Sequence, residues 1–151
     1  MIKRIIGKLE IKNDFVVKGL QMEGVQRVGD PIKLAKEYYD AGIDELLLID
    51  TVASLYRRVE IDKIISQIIK NTFIPVCAGG GIKSIDDVTK LINSGADKIC
   101  INTSAIENPS LIKDISGIFG SQSTVMQIDV KHYNNSYIPF YNTGRDPSQF
   151  N

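Results

Sequence analysis

Along the chain, short apolar runs alternate with longer stretches in which apolar residues recur at three- and four-residue spacing, and the two patterns take turns throughout. The short runs predict strands at Arg4 to Ile11, Glu45 to Ile49, Ile74 to Ala78, Lys98 to Ile101 and Thr124 to Ile128. The periodic stretches predict helices. Asp30 and Pro31 open the first as cap and first helical residue, Leu34, Ala35 and Tyr38 form its inner face, and Gly42 closes it. Ile61, Ile64, Ile65, Ile68 and Ile69 lie on one face of a second. Ser84 with Asp87 forms a capping-box signal before Ile85, Val88, Leu91 and Ile92, and Gly95 stands where a left-handed C-terminal cap belongs. Asn108 and Pro109 repeat the cap signal before Leu111, Ile112, Ile115 and Ile118.

The most informative stretch runs from Pro75 to Ala105 as strand, glycine loop, helix, strand. Gly79, Gly80 and Gly81 follow a buried strand, where backbone N–H groups can approach a phosphate at the mouth of the next helix. A tight turn without ligand fits the same residues. AGIDELLLIDT from Ala41 and SGADKICINT from Ser94 form an internal repeat: helix end, acidic residue, buried strand, polar exit. Strands alternating with helices in this way predict parallel βαβ units of a (β/α) TIM-type barrel. A closed barrel takes eight strands and roughly 200 or more residues. The chain carries five strands and four helices in 151 residues, so it is expected to be the N-terminal part, residues 1–151, of a single barrel domain that is incomplete by itself.

The strand ends carry the chemistry. Glu10, Asp50, the glycines, Asn102 with Thr103, and Asp129 all lie at C-terminal strand ends, which converge on one face of a parallel barrel. Each carboxylate alone reads equally as a helix cap; together with a glycine loop they suit acid–base chemistry on a phosphorylated substrate. The segment NDFVVKGLQMEGVQRVGD, which includes Lys18, reads as a long loop fit to cover a site. Beyond Asp129 the polar, aromatic tail predicts a small hairpin, and His132 reads as an exposed loop residue.

Composition narrows the classes. Hydrophobic residues make up 43% and charged residues 24%, with a formal net charge of zero, which gives no support for nucleic-acid or membrane binding. No apolar run is long enough for a signal peptide or a bilayer span, so a cytoplasmic location is expected. Cys77 and Cys100 lie in apolar strands without metal-ligand spacing and read as buried free thiols; no metal or cofactor is expected.

The segments RIIGKLEIKNDFVVKG, GDPIKLAKEYYDAGIDELLLIDTVAS, GGGI, GADKICINTSAIENPSLI, FGSQ and QIDVK resemble, in order and spacing, the cyclase subunit of imidazole glycerol phosphate synthase, a histidine-biosynthesis enzyme. The resemblance implies Glu10 and Asp129 as general acid and base, although the family usually has Asp where Glu10 stands. It implies a phosphate site at Gly81, Asn102 and Thr103, with Asp50 beside the substrate and Lys18 as the first-loop lysine facing it. Arg4, Glu45 and Lys98 match three of the four positions of an ammonia gate at the opposite mouth. A glutaminase partner would supply ammonia to a bis-phosphorylated ribulosyl aminoimidazole carboxamide substrate. Imidazole glycerol phosphate and an aminoimidazole carboxamide ribotide would be the products. Two other readings stay open: a relative delivering ammonia to a sugar in surface-polysaccharide synthesis, suggested by LEIK and TVASLYRR, and a non-catalytic phosphate-binding half-barrel. Self-association through an unpaired barrel edge is expected in each case.

Overall fold

The computed structural model describes residues 3–20, 24–53, 61–133, 136–141 and 144–148. Most of the TVASLYRR segment lies outside them. Five parallel strands form the centre of a seven-stranded sheet: β1 (Ile6–Lys12), β4 (Glu45–Asp50), β5 (Val76–Gly79), β6 (Lys98–Ile101) and β7 (Thr124–Met126). Between them run α1 (Pro31–Asp40), α2 (Asp62–Ile68), α3 (Ile85–Asn93), the short α4 (Thr103–Glu107) and α5 (Ser110–Phe119). The α/β class with a parallel sheet is therefore as expected. No helix among the described residues is long and apolar enough to cross a membrane.

The register explains the core. Leu9 pairs with Leu48, Leu48 with Ala78, and Ala78 with Ile99, so one apolar row crosses four strands. All four residues are buried. This face meets Ala35, Ile65, Ile68, Val88, Leu91, Leu111 and Ile115 from the helices. Because strand side chains alternate, the next residues, Lys8, Glu10, Leu47, Ile49, Cys77 and Cys100, fall on the other face. Helix starts follow the predicted chemistry. Asp30 Oδ1 accepts from the N–H groups of Ile32 and Lys33, and Ser84 and Asp87 form the capping box. α5 begins one residue later than the proline signal implied, with Asn108 O accepting from Leu111 N.

The repeat has a mechanical meaning. Asp44 accepts from Ile5 N at 2.7 Å and gives its own N–H to Ile5 O at 2.9 Å. Asp97 does the same with Val76, at 2.8 Å both ways. Each aspartate locks the start of its strand to the start of the neighbouring strand.

Four expectations need correction. The long loop after the first strand is a β-hairpin, β2 (Phe15–Leu20) with β3 (Gly24–Gly29), extending the sheet antiparallel from β1. Lys12 pairs with Phe15 across Asn13 and Asp14, a two-residue turn with Asn13 at φ 54°, which an asparagine tolerates. The fifth parallel strand stops at Met126, and Asp129 instead opens β8 (Asp129–Tyr133) of a small antiparallel sheet with β9 (Ser136–Tyr141) and β10 (Asp146–Pro147). Ile118 was expected to face inward, but it is 62% exposed near the end of α5. His132 lies within β8, not in a loop, and stays exposed with its ring against its cross-strand neighbour Tyr137.

Leu48→Ala is expected to cost about 2–5 kcal/mol in urea denaturation, because a fully enclosed side chain leaves a cavity. Ile118→Ala should stay within about 0.5 kcal/mol of the parent chain.

Candidate functional site

The strand exits surround a cavity of about 730 Å³. Glu10 reaches it from β1, Gly81 from the turn after β5, Asn102 and Thr103 from the end of β6, and Asp129 from the start of β8. Asp50 borders it too, at the end of β4. Asp50 Oδ1 accepts from the backbone of Val52 at 3.0 Å and Ala53 at 2.9 Å, so this carboxylate shapes its own turn.

The glycine turn is tightly wedged. Gly80 and Gly81 have φ of 109° and 68°, and a Cβ on Gly81 would lie 2.6 Å from that of Ala53. A Cβ on Gly80 would strike the backbone of Asp50. Close packing against the β4 exit thus accounts for both glycines without a ligand. Ser104 Oγ donates to the carbonyl of Ile82, which ties α4 to the turn and places Thr103 beside it.

Asn102 Nδ2 donates to Asp129 Oδ2 at 2.8 Å, so the amide at one strand exit orients the carboxylate at the next. Its other atom, Oδ1, is buried and has no partner among the described residues. Glu10 Oε1 lies 2.7 Å from Lys8 Nζ, an ion pair between two half-exposed side chains on the same face of β1. Lys18 does not reach the cavity. Val17 and Gly19 line it, and Lys18 between them on β2 projects to the opposite face.

At the other end of the strands, Arg4, Glu45 and Lys98 come together. Glu45 Oε2 accepts from Lys98 Nζ at 2.6 Å and from Arg4 Nη1 at 3.1 Å. The Glu45 side chain is only 4% exposed, and two cations on one oxygen offset the cost of burying it. No cluster of three His, Cys, Asp or Glu side chains that could hold a metal occurs among the described residues.

Sequence reasoning missed Lys8, Lys12, Gln127, Lys131 and Arg145, which also line the cavity. Parity could have found two of them, since Lys8 stands two residues before Glu10 and Lys131 two after Asp129 in alternating strands. Gln127 and Arg145 depend on chain turns with no local signature.

A family model described as "Histidine biosynthesis protein" matches residues 4–151. The chain belongs to this histidine biosynthesis family. Curated relatives named "Imidazole glycerol phosphate synthase subunit HisF" carry the same pattern. The one from Legionella pneumophila is 48% identical over 128 residues, covering 85% of this chain and 60% of the relative. That from Sulfurisphaera tokodaii is 43% identical over 157 residues, covering 98% and 61%. That from Methanocaldococcus jannaschii is 47% identical over 136 residues, covering 89% and 50%. The chain therefore spans between half and about three-fifths of the length of these family members.

Cys77 and Cys100 lie on the cavity-side face between the two ends, and both are buried. The Cys77 thiol is pushed far above the ordinary range, first by its hydrogen bond with Cys100, then by burial and the nearby Glu45 charge. Cys100 is lowered by that same hydrogen bond and by the Lys8 charge, against its own burial. A raised Cys77 contributes stability that is whole below the ordinary thiol value of 9.0 and is lost above it, where the unfolded chain releases a proton the folded chain keeps. Cys100, shifted the other way, is ionised in both states there and adds no slope. Urea denaturation from pH 8 to 10.5 should show the parent chain losing about 1 kcal/mol per pH unit more than Cys77→Ala above the thiol range.

Proposed function

We propose that the chain provides the first part of an ammonia-dependent cyclase of histidine biosynthesis. It would act on a bis-phosphorylated ribulosyl aminoimidazole carboxamide and release imidazole glycerol phosphate and an aminoimidazole carboxamide ribotide. The observation that carries this reading is the convergence of Glu10, Gly81, Asn102, Thr103 and Asp129 on one cavity. The curated relatives are named as subunits of the corresponding synthase.

In this reading Asp129, oriented by the Asn102 amide, and Glu10 exchange protons with the substrate as the imidazole ring closes. The glycine turn and Thr103 receive one phosphate, since backbone N–H groups and a hydroxyl satisfy its oxygens. Ammonia enters at the strand-start end, past Arg4, Glu45 and Lys98. A glutaminase partner docks there. Ile5, Phe73 and Ile118, 65%, 82% and 62% exposed, lie at strand starts or in the loops and helix ends leading to them, and offer it apolar contact.

One observation favours the sugar-amidation reading. Lys8 holds the Glu10 carboxylate in an ion pair, and Glu10 stands where the family resemblance implies an aspartate. A carboxylate so engaged suits hydroxyl binding better than proton exchange.

Two measurements test these readings. Ammonia-dependent turnover of the bis-phosphorylated intermediate is expected to be negligible for the chain alone and substantial once the chain is fused to the C-terminal part of a curated relative. Asp129→Asn in the fusion should lower it by about 10²–10⁴-fold. A folded fusion that binds phosphate yet stays inactive, even with Glu10→Asp, overturns the cyclase reading in favour of sugar amidation. Analytical ultracentrifugation should find the 151-residue chain self-associated. The outer edge of β7 has no neighbour among the described residues, and Met126, Ile128 and Val130 are exposed along the chain that leaves it. A stable, cooperatively unfolding monomer would sink this expectation.

A further inference from the structure

The cavity wall formed by the small antiparallel sheet has a charge pattern that acid–base chemistry does not use. β8 presents alternate residues to the cavity, so Lys131 lines it beside Asp129, while Val130 and His132 do not. The chain then runs out along β9 and returns through Gly144, whose φ of 73° allows the tight reversal into β10. That reversal puts Arg145 on the same cavity, its N–H bonded to Tyr141 O at 3.0 Å. Two cations from positions 14 residues apart therefore meet one space.

Both side chains are exposed, and neither enters an ion pair with another described residue. This sets them apart from Lys8, which Glu10 holds. The Lys131 stem is steadied by its ammonium lying 4.2 Å from the centre of the Phe140 ring, which limits the entropy lost when it binds a ligand. An arginine beside a lysine is the pairing that grips a tetrahedral oxyanion, one by a two-pronged hydrogen bond and the other as a point charge.

We propose that Lys131 and Arg145 form a second anion subsite, separate from the glycine turn, that takes the distal phosphate of a small molecule carrying two phosphate groups. The inference rests on the phosphate reading of Gly81, Asn102 and Thr103, and adds that this stretch of chain alone engages both ends of such a ligand.

The test compares ribose 5-phosphate with ribulose 1,5-bisphosphate by calorimetry on the full chain at low salt. The bisphosphate is expected to bind about tenfold or more tightly than the monophosphate, the scale of one added charged hydrogen-bonding contact. The Lys131→Gln, Arg145→Gln double variant should lose that excess and keep the monophosphate affinity. Arg145→Lys, which keeps the charge and loses the two-pronged bond, should retain part of it. The excess should also shrink as sodium chloride is raised. Equal affinities in the parent chain, or an excess that survives in the double variant, overturn the subsite while leaving the glycine-turn site standing. Failure of either ligand to bind the parent chain overturns both. Circular dichroism melts of the variants should match the parent, since both positions are exposed.

Discussion

The register of the parallel strands is the constraint on which the other features depend. Two aspartates set it, Asp44 against Ile5 and Asp97 against Val76, each through a pair of reciprocal bonds with the start of the neighbouring strand. A slip of one residue would turn Leu9, Leu48, Ala78 and Ile99 away from the helices and bring Lys8, Glu10 and Glu45 into the apolar layer. The energetic difference between those arrangements is that between a filled core and several buried charges, so the register admits one solution. The internal repeat in the sequence is this device used twice.

With the register set, the cavity-side face has a fixed order from one end to the other. Glu45 with its two cations lies at the strand starts, Cys77 and Cys100 in the middle, and Glu10, Asn102 and Asp129 at the exits. The polar ends are tolerated because each is paired: Glu45 by Arg4 and Lys98, Glu10 by Lys8, Asp129 by Asn102. At the exits the spacing between neighbouring strands is so close that Gly80 rests against the Asp50 backbone and Gly81 against Ala53. The same closeness that demands glycine leaves backbone N–H groups within reach of a ligand, so the packing role and the binding role need not compete.

Strands, helix starts and the helix-facing core were legible in the sequence because they rest on local periodicity and local capping chemistry. Asp30 with Pro31 and Ser84 with Asp87 form their caps where the residues predict them. The β-hairpin after β1 was not, because FVVKGL and GVQRVG are short, glycine-interrupted and polar enough to pass for a loop; only pairing against β1 makes them strands. The placement of Lys18 depends on that pairing. A lysine in a loop can point anywhere, whereas one on a strand between Val17 and Gly19 takes the face opposite to theirs.

The sequence by itself determined the element order, the apolar face of each helix and the carboxylates, amide and glycines at the strand exits, since these are properties of residues within a few positions of one another. Tertiary structure alone decided which of them meet. The Asn102 to Asp129 bond, the meeting of Arg4 and Lys98 on one oxygen of Glu45, and the arrival of Arg145 on the cavity all join residues distant in the chain. Such contacts form only after register and helix packing are in place, and nothing in the local sequence around either partner encodes the distance to the other.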